Sequence, residues 1–203
     1  MRHCGQKEEM MKRIIALTAV IFTIACVTIS LTGCSGGGQA KDNVNQASSL
    51  LESSQQLLED LNNLNARFNS LGIRFSNVED TIAEGKSLAE MAMIDVDELE
   101  IRYSEARELF NEVIAMRDAG DYAAYSRLAL QVVESKLQEI TLNRELLTAV
   151  SDMLDVLPMA QNEEQLSYYT ERMDQLSKDI SDLRLQAAEA ALAADAYFKE
   201  HGL

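Results

Sequence analysis

Apolar residues recur three and four positions apart from Ala47 almost to the end of the chain, the spacing that lays one stripe along an α-helix. In a first stretch Ala47, Leu50, Ser54, Leu57, Leu61, Leu64, Phe68 and Leu71 keep that step, and Leu51 and Leu58 widen the stripe. Gly72 supplies a stop, and Ser76 with Glu79 has the form of a capping box that starts the next helix. A second stretch runs Val78, Ile82, Gly85, Ala89, Ala92, Val96, Leu99, Tyr103, Ala106, Phe110 and Val113. Gly and Ala in its first half let a neighbouring helix come close. Gly85 costs about 1 kcal/mol relative to Ala and, with "MIDVD" at 93–97, marks a place for a kink. Ala119-Gly120-Asp121 ends this stretch, with Asp121 placed to cap the next.

The third stretch is less regular. Leu130, Val133, Leu137, Ile140, Leu147, Val150, Leu154 and Leu157 keep step, and Asn143-Arg144 interrupts them. Pro158, the one proline of the chain, closes the helix because residues before proline avoid helical angles. Asn162 with Gln165 resembles another capping box. A fourth stripe then counts Leu166, Tyr169, Met173, Leu176, Ile180, Leu183, Ala187, Ala190, Ala194 and Tyr197, with Gly202 just past its end. No segment alternates with period two, so the fold class is all-α. Helices near 44–71, 77–118, 121–157 and 162–200 are joined by links of about two to five residues, which force antiparallel neighbours. Three-four spacing favours crossing angles near about 20° and knobs-into-holes contacts. The expectation is an elongated, antiparallel, up-down-up-down four-helix bundle over residues 44–203, with coiled-coil-like packing. The stretch at 106–130, "ARELFNEVIAMRDAGDYAAYSRLAL", resembles a tetratricopeptide hairpin. Such repeats recur about every 34 residues, and that step from Gly120 lands on Lys86 and Leu154, without a second "GDY".

Upstream of the stripes the pattern changes. Ile14 to Leu31, "IIALTAVIFTIACVTISL", carries no charge and no proline, follows Met11-Lys12-Arg13, and runs into Cys34 and "SGGGQ". A basic pair, a compact apolar core and small residues at its end describe a secretory signal peptide. Leu31-Thr32-Gly33-Cys34 resembles the lipobox of bacterial lipoproteins, a pattern some archaea share, over residues 11–34 and no further. That resemblance implies a signal peptide over residues 1–33, a diacylglyceryl group on the Cys34 sulfur, and cleavage just before that cysteine. It also implies a place on the extracytoplasmic face of the cell membrane. Glu8 and Glu9 are out of keeping with a basic leader, which makes Met10 or Met11 a candidate start. Two acyl chains anchor stably where one binds only marginally. The alternative, an uncleaved apolar anchor, also leaves the rest outside, because Lys12 and Arg13 stay inside. Residues 34–43 then read as a flexible tether that averages about 18 Å.

Composition narrows the function. Cys4 and Cys26 precede Cys34, so the exported part has no other thiol and no disulfide, and packing must stabilise it. The formal net charge is −15, and only four basic and two acidic residues precede Cys34. An excess of carboxylates excludes nucleic acid and flat docking on anionic lipid, which call for Lys and Arg patches, and admits cationic partners. His201, near the end of the chain, is the one histidine after Cys34. Terminal residues fray, so it makes a poor general base. No Gly-rich phosphate loop, Ser nucleophile elbow or Glu-x-x-His pair occurs. Asp95, Asp97, Glu98 and Glu100 could supply oxygens to a hard cation, but the calcium loop's Gly turn is missing. The simpler reading of Asp95 and Glu98 is a solvated face on which Glu98 pairs with Arg102 at i,i+4. Asn143 and Arg144 read first as register residues and second as binding residues.

These readings lead to expectations of no cofactor, no metal and no catalysis. The expected function is that of a lipid-anchored extracytoplasmic bundle acting in protein–protein interaction, as a scaffold or accessory subunit with an unidentified protein partner. The alternative is a binding protein that holds an apolar or cationic small molecule between helices, near Gly85 to Ala92. Self-association through the same stripes is compatible with the sequence.

Overall fold

A computed structural model describes residues 38–74, 78–160 and 164–203. These residues form four helices: α1 (Gly38–Arg74), α2 (Val78–Ala115), α3 (Asp121–Val156) and α4 (Glu164–His201). No strand occurs among the described residues. Consecutive helices pack against one another as an all-α four-helix bundle. The expected signal peptide, Cys34 and the two expected capping-box starts, Ser76 and Asn162, lie outside the described residues.

α1 begins earlier than the stripe suggests. Gly38–Asn43, expected to be tether, are helical. Gln39, Ala40 and Lys41 are good helix formers. The first turns are also held in place: Asn43 is 8% exposed and its Nδ2 donates to Glu112 Oε2 at 2.8 Å, while Val44 and Ala47 are buried. α2 runs unbroken through both Gly85 and 93–97. α3 stops just before Pro158, and the turn after it closes through Met159 N–H donating to the Val156 carbonyl at 3.0 Å. Gly202 (φ 64°) takes the left-handed conformation that ends a helix, with Leu203 N–H reaching back to the Phe198 carbonyl at 3.3 Å, and Gly120 (φ 53°) takes it in the turn just before α3.

The described chain divides into two compact units, each drawing about half of every helix. In the unit built from Glu59–Val96 and Thr141–Ile180, Leu61, Leu88, Leu146, Met173, Leu176 and Ile180 are nearly fully buried. Each such side chain contributes about 1.5–3 kcal/mol on leaving water. Gly85 belongs to this core. A Cβ there would meet Leu154 Cδ1 at 3.0 Å and Leu71 Cδ1 at 3.5 Å, so leucine already fills the room that the small residue provides. The other unit, which includes Asp97–Ile140 and Ser181–Leu203, centres on Tyr125. Its ring meets Phe110 edge-on (centroids 6.3 Å apart) and Phe198 likewise (5.3 Å), contacts worth about 0.5–1.5 kcal/mol each beyond area burial. Burial, with the charge of Asp195 added, pushes the Tyr125 hydroxyl well above the usual phenol range.

The stripes fare unequally. Along α2 every expected position from Ile82 to Val113 is buried. On α3, six of the eight expected positions are buried and Leu130 and Leu137 are half-buried, while a second inward row runs Tyr125, Ala129, Val132, Lys136, Glu139, Asn143, Leu146, Val150, Met153 and Leu157. On the last third of α4, Ala191 and Phe198 face inward in place of Ala190 and Tyr197.

The packing over Gly85 yields a direct expectation. Gly85→Leu drives a branched side chain into Leu154 and is expected to lower unfolding free energy by about 1–3 kcal/mol, as overpacked cores do. Urea denaturation followed by circular dichroism checks it; an unchanged midpoint would mean that the space over Gly85 is open.

Candidate functional site

The most unusual chemistry in the structure is a carboxylate taken out of water. Glu139 on α3 is 1% exposed. Lys136 Nζ, one turn earlier, donates to its Oε2 at 2.8 Å, and Arg184 Nε on α4 donates to its Oε1 at 2.7 Å. Lys136 is itself 4% exposed. A buried charge is tolerated when both of its oxygens are held by charge-assisted hydrogen bonds. Two cations on one carboxylate therefore fasten α3 to α4 at a defined register.

Asn143, expected to be a register or interaction residue, is 1% exposed and lies in the same inward row of α3. Its burial suits a register role. Arg144, its neighbour, turns the other way, to the α3–α4 surface, where it lines a groove of about 360 Å³. Across that groove Arg172 on α4 pairs with Glu145 on α3. Tyr168 and Tyr169 stand edge to face, centroids 5.3 Å apart, with Tyr168 72% exposed. Asp152 lines the same groove, and buried Ala149 borders it with a small side chain. The groove is thus a shallow recess with aromatic walls and charges of both signs at its edge. Such a surface can take an apolar or aromatic side chain from a partner and hydrogen-bond the backbone around it.

Asp95 and Glu98 are not brought to this groove. Glu98 accepts from Arg102 Nε at 3.0 Å, the i,i+4 pairing the spacing predicts, and Arg102 also donates to the Ser53 carbonyl on α1. Partial burial raises the Asp95 pKa above the usual carboxylate value, and the nearby Asp60 carboxylate adds to the rise. No group of three or more His, Cys, Asp or Glu that could hold a metal ion occurs among the described residues. No helix of the described residues is long and apolar enough to cross a membrane. His201 is not a frayed end: its ring stacks on Tyr197 at 4.1 Å, and its Nδ1 lies 3.4 Å from Asp121 Oδ2. Tyr197 donates its hydroxyl to Asp121 Oδ1 at 3.2 Å, so the start of α3 is latched to the end of α4.

Two carboxylates, one buried on α3 and one on α2, are expected to behave very differently when removed. Glu139→Ala leaves Lys136 buried without its partner and is expected to cost about 3–5 kcal/mol. Glu98→Ala, which breaks an exposed pair, is expected to cost under about 0.5 kcal/mol. Thermal and urea unfolding of the two variants side by side measures the contrast.

Comparison with protein-family models, with curated proteins and with solved structures returns no match.

Proposed function

We propose that this chain is a lipid-anchored, extracytoplasmic helical-bundle protein that works by protein–protein interaction, as a scaffold or accessory subunit. The observation that carries the reading is the α3–α4 groove, in which the exposed Tyr168 stands among Tyr169, Arg144 and Arg172. Tyr and Arg are the residue types that concentrate binding energy at protein interfaces, because each combines a large contact area with a few directed hydrogen bonds. The groups gathered there hold a partner; they do not form a paired nucleophile and base. A small molecule between helices near Gly85 would have to displace Leu154, which disfavours that alternative.

The membrane address rests on the lipobox-like Leu31-Thr32-Gly33-Cys34. α1 starts at Gly38, so three residues separate Cys34 from the helix, four Cα steps and a reach of at most about 14 Å. A tether that short keeps the first turn of α1 close to the bilayer surface. The excess negative charge then favours a basic partner surface and speeds its approach.

Crosslinking in intact cells, followed by membrane fractionation, tests both halves with the full chain. The unaltered protein is expected in the membrane fraction, joined to a second protein. Cys34→Ala is expected to lose the diacylglyceryl mass and keep residues 1–33 uncleaved, read by mass spectrometry of the membrane fraction, and Tyr168→Ala to keep the membrane and lose most of the crosslink. A Cys34→Ala chain that is cleaved as before, with no lipid mass missing, would overturn the lipid anchor. An unchanged crosslink in Tyr168→Ala would overturn the groove as the contact.

A further inference from the structure

A second surface, on the later part of α4, carries a regular pattern of its own. Leu185 and Leu192 on α4 are 63% and 72% exposed. They stand seven residues apart, about 10.5 Å along the helix and within about 20° of the same direction around it. The opposite side of this stretch is spoken for, since Ala187, Ala191, Ala194 and Phe198 are in the core and Arg184 is bound to Glu139. The two leucines therefore face outward as a seam. Ala188 and Ala196 lie beside them and leave room for close approach. Isolated exposed leucines are ordinary, but two at one heptad position with small residues beside them have the form of a coiled-coil seam.

The charges beside the seam repeat with it. Asp182 stands three residues before Leu185, and Glu189 three before Leu192, both exposed. Acid and leucine thus recur together on a heptad, the arrangement by which flanking charges choose a partner in paired helices. A second copy of this chain meets it badly. Parallel pairing sets Glu189 against Glu189 and Asp182 against Asp182, and two chains of net charge −15 repel each other before contact.

We propose that the Leu185–Leu192 face of α4 docks an amphipathic helix of a partner protein whose apolar seam is flanked by Lys or Arg. The inference rests on the reading of the chain as an interaction protein and names the chemistry of the partner. The leucines supply the buried contact, and Asp182 and Glu189 reject acidic or neutral-flanked helices in favour of basic ones.

The test titrates the full chain, held in detergent micelles, with two designed three-heptad peptides. Both carry leucine at the a and d positions; one has lysine and the other glutamate at e and g. The lysine peptide is expected to bind roughly tenfold or more tightly than the glutamate peptide, and to weaken as salt rises. Leu192→Glu, on an exposed position that leaves the core intact, is expected to lose roughly tenfold in affinity for the lysine peptide without a change in melting temperature. Glu189→Lys is expected to narrow the preference between the two peptides. Equal binding of both peptides, or binding unchanged in Leu192→Glu, overturns the proposal. A dimer in sedimentation that Leu192→Glu dissolves overturns it in favour of a second copy. This titration requires neither Cys34 nor the groove. Tyr168→Ala should retain the peptide, so failure of the seam and failure of the wider interaction reading give different results.

Discussion

Four helices of 36 to 38 residues are held together by the side chains on their facing seams, with no covalent link, because the described residues contain no cysteine. An isolated helix is marginal in water, and most helical stability in a protein comes from packing an apolar face. Each stripe therefore has to find its neighbour, and the sequence supplies little else to guide it. The fit over Gly85 shows how tight the arrangement is: one missing side chain on α2 is matched by Leu154 on α3 and Leu71 on α1.

An entirely apolar seam would satisfy many alignments about equally well, and here the buried polar groups break the degeneracy. Glu139 can be accommodated only where Lys136 and Arg184 both reach it, because a carboxylate left unpaired in the core is costly. Sliding α4 by a turn would move Arg184 about 5.4 Å and leave Glu139 with Lys136 but without its cation from α4. The latch of Asp121 with Tyr197 and His201 adds a second fixed point between the same two helices. Stability is given up at these positions and a unique pairing of α3 with α4 is gained. The outward surfaces, the groove and the leucine seam, both use α4 and so depend on that pairing being unique.

The all-α class and four helices were legible because periodicity alone specifies them, and α2 was legible residue by residue because each seam position is small or apolar. On α3 most of the expected stripe is buried, but a second inward row beside it was not legible, for a physical reason. That row steps by threes and fours without a break from Tyr125 to Leu157, but Lys136, Glu139 and Asn143 occupy three of its places. A reading that equates polar with outward selects the neighbouring row through Leu130 and Leu137 instead. A stricter search for unbroken spacing would have found this second row as well, with the buried ion pairs as its consequence. Arg144 was singled out because it interrupts a stripe, yet the groove around it could not be foreseen, since Tyr168, Tyr169 and Arg172 arrive from α4 only through tertiary packing. Glu98 and Arg102 needed nothing beyond i,i+4 spacing. The early start of α1 was hidden because its first turns are fixed by a contact far along the chain, Asn43 with Glu112.

The central claim, that this chain acts by holding another protein and not by holding a small molecule, is tested most directly by native mass spectrometry of the full chain released from its own membrane in mild detergent. The account predicts the mass of the lipid-modified chain, alone and in complex with a second polypeptide, with no further adduct. A stoichiometric small-molecule mass that stays through gentle activation and leaves on denaturation would contradict it.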